Sequence, residues 1–228
     1  MAQPRLIAVT GLKREARRLA SPQLAVLAGG GDRARLEREL DRLCPQAAGV
    51  ISIGLAGALD PVLKPGDWVV ADEVVDHGRA MPTDIAWTLR LKAALPGVRV
   101  GAVAGSDVMV ATGAAKAALR TATGAIAADM ESHIVARAAE RHRLPFAVAR
   151  TISDAAHRGL PAAAQAGMKP DGGMDLPGVL AVLARRPWEL PALIRTGLEA
   201  EAAFSALLRG RQLLGGTLGG PGPGADLG

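Results

Sequence analysis

Short, unbroken apolar runs recur along the chain, each closed by a turn or by an acidic residue, and no other feature of the sequence constrains the fold as strongly. Leu6–Val9 ends at Thr10-Gly11 and reads as a strand followed by a loop. Gln23–Ala28 is stopped by Gly29-Gly30-Gly31, Gly49–Ile53 runs into Gly54–Gly57, and Pro145–Ala149 runs into Arg150–Asp154. Apolar runs of this length that do not alternate with polar residues are strands covered on both faces. Trp68–Val75, Val98–Ala104 and Ala125–Ala128 read the same way. Helical spacing lies between them. Leu36, Leu40 and Leu43 follow the N-cap candidate Asp32 at i, i+4, i+7. Ala114–Arg120 suits a short helix, and Ile134, Val135, Ala138 and Ala139 form the inward face of another. Strands mixed with helices predict an α/β fold: a single domain with a central mixed sheet flanked by helices.

The last third has a different texture. Residues 158–178 are rich in Gly, Pro and Ala and read as a loop. Trp188–Leu208 reads as a helix, with Leu190, Leu193, Ile194, Leu198, Phe204 and Leu208 in one stripe and Glu201 near its middle. From Gly215 to Gly228 the Gly/Pro-rich composition predicts a disordered tail. The domain is expected to span residues 1–214, with 158–214 as a loop and helical extension.

Composition removes several function classes. The single cysteine, Cys44, cannot form an internal disulfide or a multi-cysteine zinc site. The net charge is +5, but Arg is scattered among Asp and Glu without a basic block, and aromatic residues make up only 2%. A stacked nucleic-acid surface is not expected from such a chain. The uncharged stretch Leu43–Leu59 is interrupted by Pro45, Gly49, Gly54 and Gly57, and a spanning helix needs about 20 mostly apolar residues. Leu6–Val9 is too short for the core of a signal peptide, so a cytoplasmic protein is expected. P-loop, nucleophile-elbow, HExxH and CxxC motifs are missing from the sequence. His77, His133, His142 and His157 have no metal-ligand spacing, so neither a metal nor a cofactor is expected.

In open α/β sheets, active groups gather beyond the carboxyl ends of strands. Glu15, Glu131 and Asp154 each fall near such an end. Carboxylates sharing a rim can divide labour, one protonated by burial and donating, another ionised and activating water. From position alone, each is also a helix cap or a surface charge; Asp154, for example, can serve as an N-cap.

Three segments together resemble the nucleoside phosphorylase and nucleosidase superfamily, especially methylthioadenosine/adenosylhomocysteine nucleosidases. Residues 53–70 (IGLAGALDPVLKPGDWVV) look like the family's Gly-rich turn and "LKxGD" segment. Residues 128–132 (ADMES) look like its ribose motif, and residues 149–154 (ARTISD) like its acid motif. The resemblance covers about residues 5–157. It implies that Asp154 protonates or hydrogen-bonds N7 of a departing adenine. It implies that Glu131 grips the ribose hydroxyls, that Met130 packs on the sugar and that Glu15 activates water. Ser106–Val110 resembles the base-binding stretch, with Met109 where Phe is often found and the Val110 backbone at the adenine edge. Ala56 and Gly57 lie in the substrate-binding turn. The resemblance also implies a homo-oligomer.

Two departures qualify the match. Leu55 stands where nucleosidases commonly carry Ser. The basic residues Lys13, Arg14, Arg17 and Arg18 follow the first strand, near where phosphorylases hold phosphate, so phosphorolysis stays open beside hydrolysis. A non-catalytic nucleoside or lipid carrier on the same fold is the third reading. The Met168–Gly173 stretch and the RRPWELPALIR segment ending at Arg195 are similar to the hopanoid-associated branch. That similarity implies adenosylhopane as substrate, whose tail needs a hydrophobic lid or channel within 158–214; the apolar stripe of 190–208 either supplies it, rests on a membrane surface as a peripheral contact, or packs as a helix on the core or on a dimer partner.

Overall fold

The computed structural model describes residues 5–167, 173 and 175–221. In chain order the elements are β1 (Arg5–Thr10), α1 (Lys13–Leu19), β2 (Leu24–Ala28), α2 (Arg33–Leu43), β3 (Ala47–Ala58), β4 (Trp68–Val70), β5 (Glu73–Asp76) and β6 (Arg79–Pro82). Then follow α3 (Ile85–Ala94), β7 (Arg99–Val100), β8 (Val103–Gly105), α4 (Gly113–Thr123), β9 (Ala127–Asp129), α5 (Ser132–His142) and β10 (Phe146–Asp154). The chain finishes with α6 (Ala162–Ala166), α7 (Leu176–Arg185) and α8 (Leu190–Leu214).

The expected mixed sheet is present and organised around β3. That strand pairs in parallel with β1 over its first half and with β10 along most of its length. Its end turns to pair antiparallel with β9, through Gly57↔Ala128 and Ala58↔Ala127. β9 in turn runs parallel to β8, and β8 to β5. The end of β3 is therefore bordered by β10 on one side and β9 on the other.

Both faces are covered, as the unbroken apolar runs predict. The period-2 alternation of a strand divides each run between two cores. Ile7, Val9, Val148 and Ile152 pack under α2 and α5 with Leu36, Leu40 and Ile134. Leu6, Ala8, Ala147 and Ala149 pack on the other face with Trp87, Leu91, Phe204 and Leu207. Asp32 caps α2, accepting from the Arg35 backbone at 3.0 Å.

Several expectations need correcting. The segment after Thr10 is a helix, α1, whose inward residues Glu15 and Leu19 anchor it. Trp68–Val75 is two strands, because β4 pairs with β10 and β5 with β8. Val98–Ala104 is likewise divided between β7 and β8. The loop expected over 158–178 contains α6 and the start of α7. Proline supports both helix starts, Pro161 at the N-cap of α6 and Pro177 in the first turn of α7. Met168–Gly172 lie outside the described residues.

The tail is not disordered over Gly215–Pro221. Leu218 is fully buried, and its carbonyl accepts from Trp87 Nε1 at 3.0 Å. The Gly219 carbonyl accepts from Arg90 Nε at 2.7 Å. The last residues, 222–228, lie outside the described part. The stripe expected on the last helix is also divided. Phe204 is buried against the sheet, whereas Ile194 (55% exposed) and Leu198 (67%) face solvent. Among the described residues, no helix is long and apolar enough to cross a membrane.

Candidate active site

The sheet brings four acidic side chains and two basic ones to the end of β3, and all six are buried. Glu15 reaches in from α1. Its Oε2 accepts from the Leu12 backbone at 2.9 Å and its Oε1 from the Leu55 backbone at 3.1 Å. Arg150 extends inward from β10. Its Nη2 donates to Ser52 Oγ, and its Nε lies 2.5 Å from Asp129 Oδ2. Glu131 Oε2 lies 3.6 Å from Arg150 Nη2. Asp129 also accepts from the Ser132 backbone at 2.9 Å, which starts α5.

Glycine makes this approach feasible. A Cβ on Gly54 would lie 3.0 Å from both Arg150 Nη1 and Glu15 Oε2. A Cβ on Gly57 would lie 3.3 Å from Asp154 Oδ2. The Gly-rich segment expected to be a turn is the end of strand β3, whose glycines let carboxylates close on the backbone from both ends. Two residues of strand, Leu55 and Ala56, separate the two glycines, so Glu15 and Asp154 flank a backbone stretch of about 10 Å.

Asp154 ends β10 beside Gly57. Its Oδ1 accepts from Ser153 Oγ at 2.7 Å, and its Oδ2 accepts from Lys116 Nζ on α4. Ser153 Oγ is also 3.2 Å from the Ala56 carbonyl.

Burial sets the proton affinities. It raises the Glu15 pKa above the ordinary carboxylate value, against the Leu12, Leu55 and Gly11 backbone groups and Arg150. Burial pushes Glu131 up to about 7; Arg150 opposes the rise, and the Asp129 and Glu15 carboxylates add to it. Perturbed carboxyls crowded at strand ends are what an acid-base site contains.

The remaining candidates lie around this cluster. Met130 and Glu131 line a small cleft with Leu36, Arg33, Asp107 and Ile134. Met109 and Val110 are on the segment after β8. That segment is held by Ser106 N donating to the Asp129 carbonyl at 2.9 Å and by Asp107, 3.0 Å from His133 Nε2. Arg150 and Lys116 are the groups that the sequence reading missed. Arg150 had a signal, being a charged residue within an apolar strand. Lys116 had only its place in an alanine-rich helix. The basic residues after β1 do not enter the cluster: Lys13, Arg14, Arg17 and Arg18 are exposed. Arg14 pairs with Glu201 and stacks 3.9 Å from the Phe204 ring centre on α8.

Residues 34–169 match the phosphorylase superfamily, and the chain belongs to that family. No curated protein matches the sequence. Solved structures with a similar fold include two 5'-methylthioadenosine/S-adenosylhomocysteine nucleosidases. One, from Helicobacter pylori with butyl-thio-DADMe-Immucillin-A, has a TM-score of 0.67 at 16% identity, over 94% of this chain and 97% of that one. Another, from Colwellia psychrerythraea with adenine, has a TM-score of 0.66 at 18% identity, over 96% and 98%. The native futalosine hydrolase of Helicobacter pylori has a TM-score of 0.64 at 16% identity, over 95% and 97%. At these identities the likeness is one of fold.

Proposed function

We propose that the protein is an N-ribosyl hydrolase that releases adenine, with adenosylhopane as its substrate. The observation that carries this reading is the pair of buried carboxylates, Glu15 and Asp154, flanking Gly54–Gly57 in a phosphorylase-superfamily fold. Cleavage of a glycosidic bond passes through an oxocarbenium-like state. A purine departs more readily when a positioned acid protonates it, the role given to Asp154. Glu15 takes a proton from the attacking water, and its raised pKa makes it a stronger base. Glu131 binds the ribose hydroxyls and favours the positive charge developing on the sugar. Met130 packs on the sugar, Met109 and Val110 meet the base, and Ala56 and Gly57 form the floor.

Two observations favour water over phosphate as the nucleophile. Glu15 is buried against Gly54 and Leu55, whereas Arg14, Arg17 and Arg18 are exposed on α1. The apolar 5' substituent is favoured by the face of α7 and the first turns of α8. Leu176, Leu180, Trp188 (71% exposed), Ile194 and Leu198 are uncovered there. Arg185 and Arg195 stand among them. This face is the proposed contact with the hopane tail or with the membrane that holds it.

The test is to incubate the protein with adenosylhopane in detergent, and in parallel with methylthioadenosine, with and without phosphate, and to measure free adenine by chromatography. Adenine from adenosylhopane without phosphate is expected. Adenine only after adding phosphate would establish phosphorolysis, and no adenine from either nucleoside would leave a carrier.

A further inference from the structure

Lys116 is 1% exposed on the alanine-rich helix α4, a costly place for an ammonium unless it is paired. Its Nζ donates to Asp154 Oδ2 and, at 2.9 Å, to the Ala155 carbonyl. Ser153 Oγ occupies the other carboxylate oxygen at 2.7 Å. A Cβ on Gly57 would lie 3.3 Å from Asp154 Oδ2 and 3.6 Å from Lys116 Cε, so the pair sits directly against the segment proposed to receive the base. From the same helix, Arg120 faces Asp60 at 3.2 Å. Across Gly54–Gly57 stand Glu15, Glu131, Asp129 and Arg150.

This arrangement is at odds with a simple acid. Both Asp154 carboxylate oxygens already accept, Oδ2 from the Lys116 ammonium and Oδ1 from the Ser153 hydroxyl. A carboxylate has no proton to give, but the ammonium bonded to it has. We propose that Lys116 stores the proton that Asp154 hands to the departing purine. As the N-glycosidic bond breaks, its electron pair stays with the purine. Lys116 Nζ passes a proton to the Asp154 carboxylate and becomes a neutral amine, and Asp154 passes that proton on to a purine ring nitrogen. Glu15 removes a proton from the attacking water, whose oxygen bonds the sugar. That proton passes to solvent and Lys116 regains one from solvent. The sum is nucleoside plus water giving the ribosyl product plus purine. Lys116 acts only through Asp154. The proposal rests on the nucleosidase reading above.

The test compares wild-type protein and Lys116→Met on adenosylhopane in detergent and on 4-nitrophenyl riboside, whose leaving group departs without a proton. Lys116→Met is expected to lower kcat for adenine release at neutral pH by about 100-fold or more. Its KM and its cleavage of the nitrophenyl riboside should stay within about threefold. Equal losses on both substrates, or adenine release kept within about threefold, would overturn the proposal. A proton inventory in mixed light and heavy water covers the case of a variant that does not fold. In the wild-type protein, adenine release should bow more strongly than nitrophenyl riboside cleavage, and equal inventories contradict the relay. Wild-type protein that releases no adenine from adenosylhopane or methylthioadenosine would overturn the nucleosidase reading and this proposal with it.

Discussion

Around the end of β3, Glu15, Glu131, Asp129 and Arg150 are buried, Asp129 and Glu131 facing Arg150 and Glu15 holding the Leu12 and Leu55 backbone. Along α7 and the first turns of α8, Leu176, Leu180, Trp188, Ile194 and Leu198 face water. Each region carries groups out of their preferred medium, and the remedies differ. Buried charge is costly, so every member of the first cluster is held by a partner fixed in the fold. Such a cluster is preorganised and rigid. Exposed apolar surface has no partner within the described chain, and a large uncovered patch marks a contact surface. One region is finished by folding; the other, among the described residues, is the face proposed above to meet the apolar tail or the membrane.

That contrast can be broken most forcefully at Asp154. Asp154→Asn should reduce adenine release by about 10²–10⁴-fold while methylthioadenosine still binds, as read by chromatography and calorimetry. Undiminished release would remove Asp154 from the chemistry.

Next in size is Arg150→Met. Removing one member of a buried charge network costs about 3–5 kcal/mol. For a chain of this length that corresponds to a fall in Tm of roughly 6–20 °C, measurable by circular dichroism. A Tm within a degree or two of wild type would show that the buried carboxylates do not depend on Arg150.

A smaller effect depends on pH. Folding raises the Glu131 pKa from 4.5 to about 7. The stability of the protonated form is full below about pH 4.5 and is lost as the pH rises through 7. Glu131→Gln stays neutral, so its Tm relative to wild type should climb between pH 4.5 and 7.5 and be flat below. A pH-independent difference would mean that Glu131 is already ionised in the folded protein.

The smallest effect on stability belongs to the exposed face. The combined substitution of Leu180, Ile194 and Leu198 by Asp should change stability by no more than about 0.5 kcal/mol per site. The same variant should lose flotation with vesicles containing anionic lipid. Unchanged flotation, or a large fall in Tm, would assign that face another role.

The sequence announced these regions unequally. The strands of the central sheet were legible because burial on both faces writes itself as unbroken apolar runs. Asp154, Glu131 and Glu15 were legible because strand ends gather chemistry and because their motifs resemble a known family. Lys116 was not, since its partner lies on another element, far along the chain, and nothing local records a cross-element ion pair. The helix α7 was hidden for a related reason. It has no fully buried residue, and its start, Leu176-Pro177-Gly178, carries the Pro and Gly that read as a loop. The order of Gly215–Pro221 was invisible because it depends on a distant donor, Trp87 Nε1.

The central claim is that water, activated beside Glu15, displaces adenine from a ribosyl carbon. The most direct measurement is to run the reaction in ¹⁸O-enriched water without phosphate and weigh the sugar product by mass spectrometry. One ¹⁸O atom in the ribosyl product for each adenine released is the predicted result. Adenine release that requires phosphate and leaves a phosphorylated sugar would contradict it.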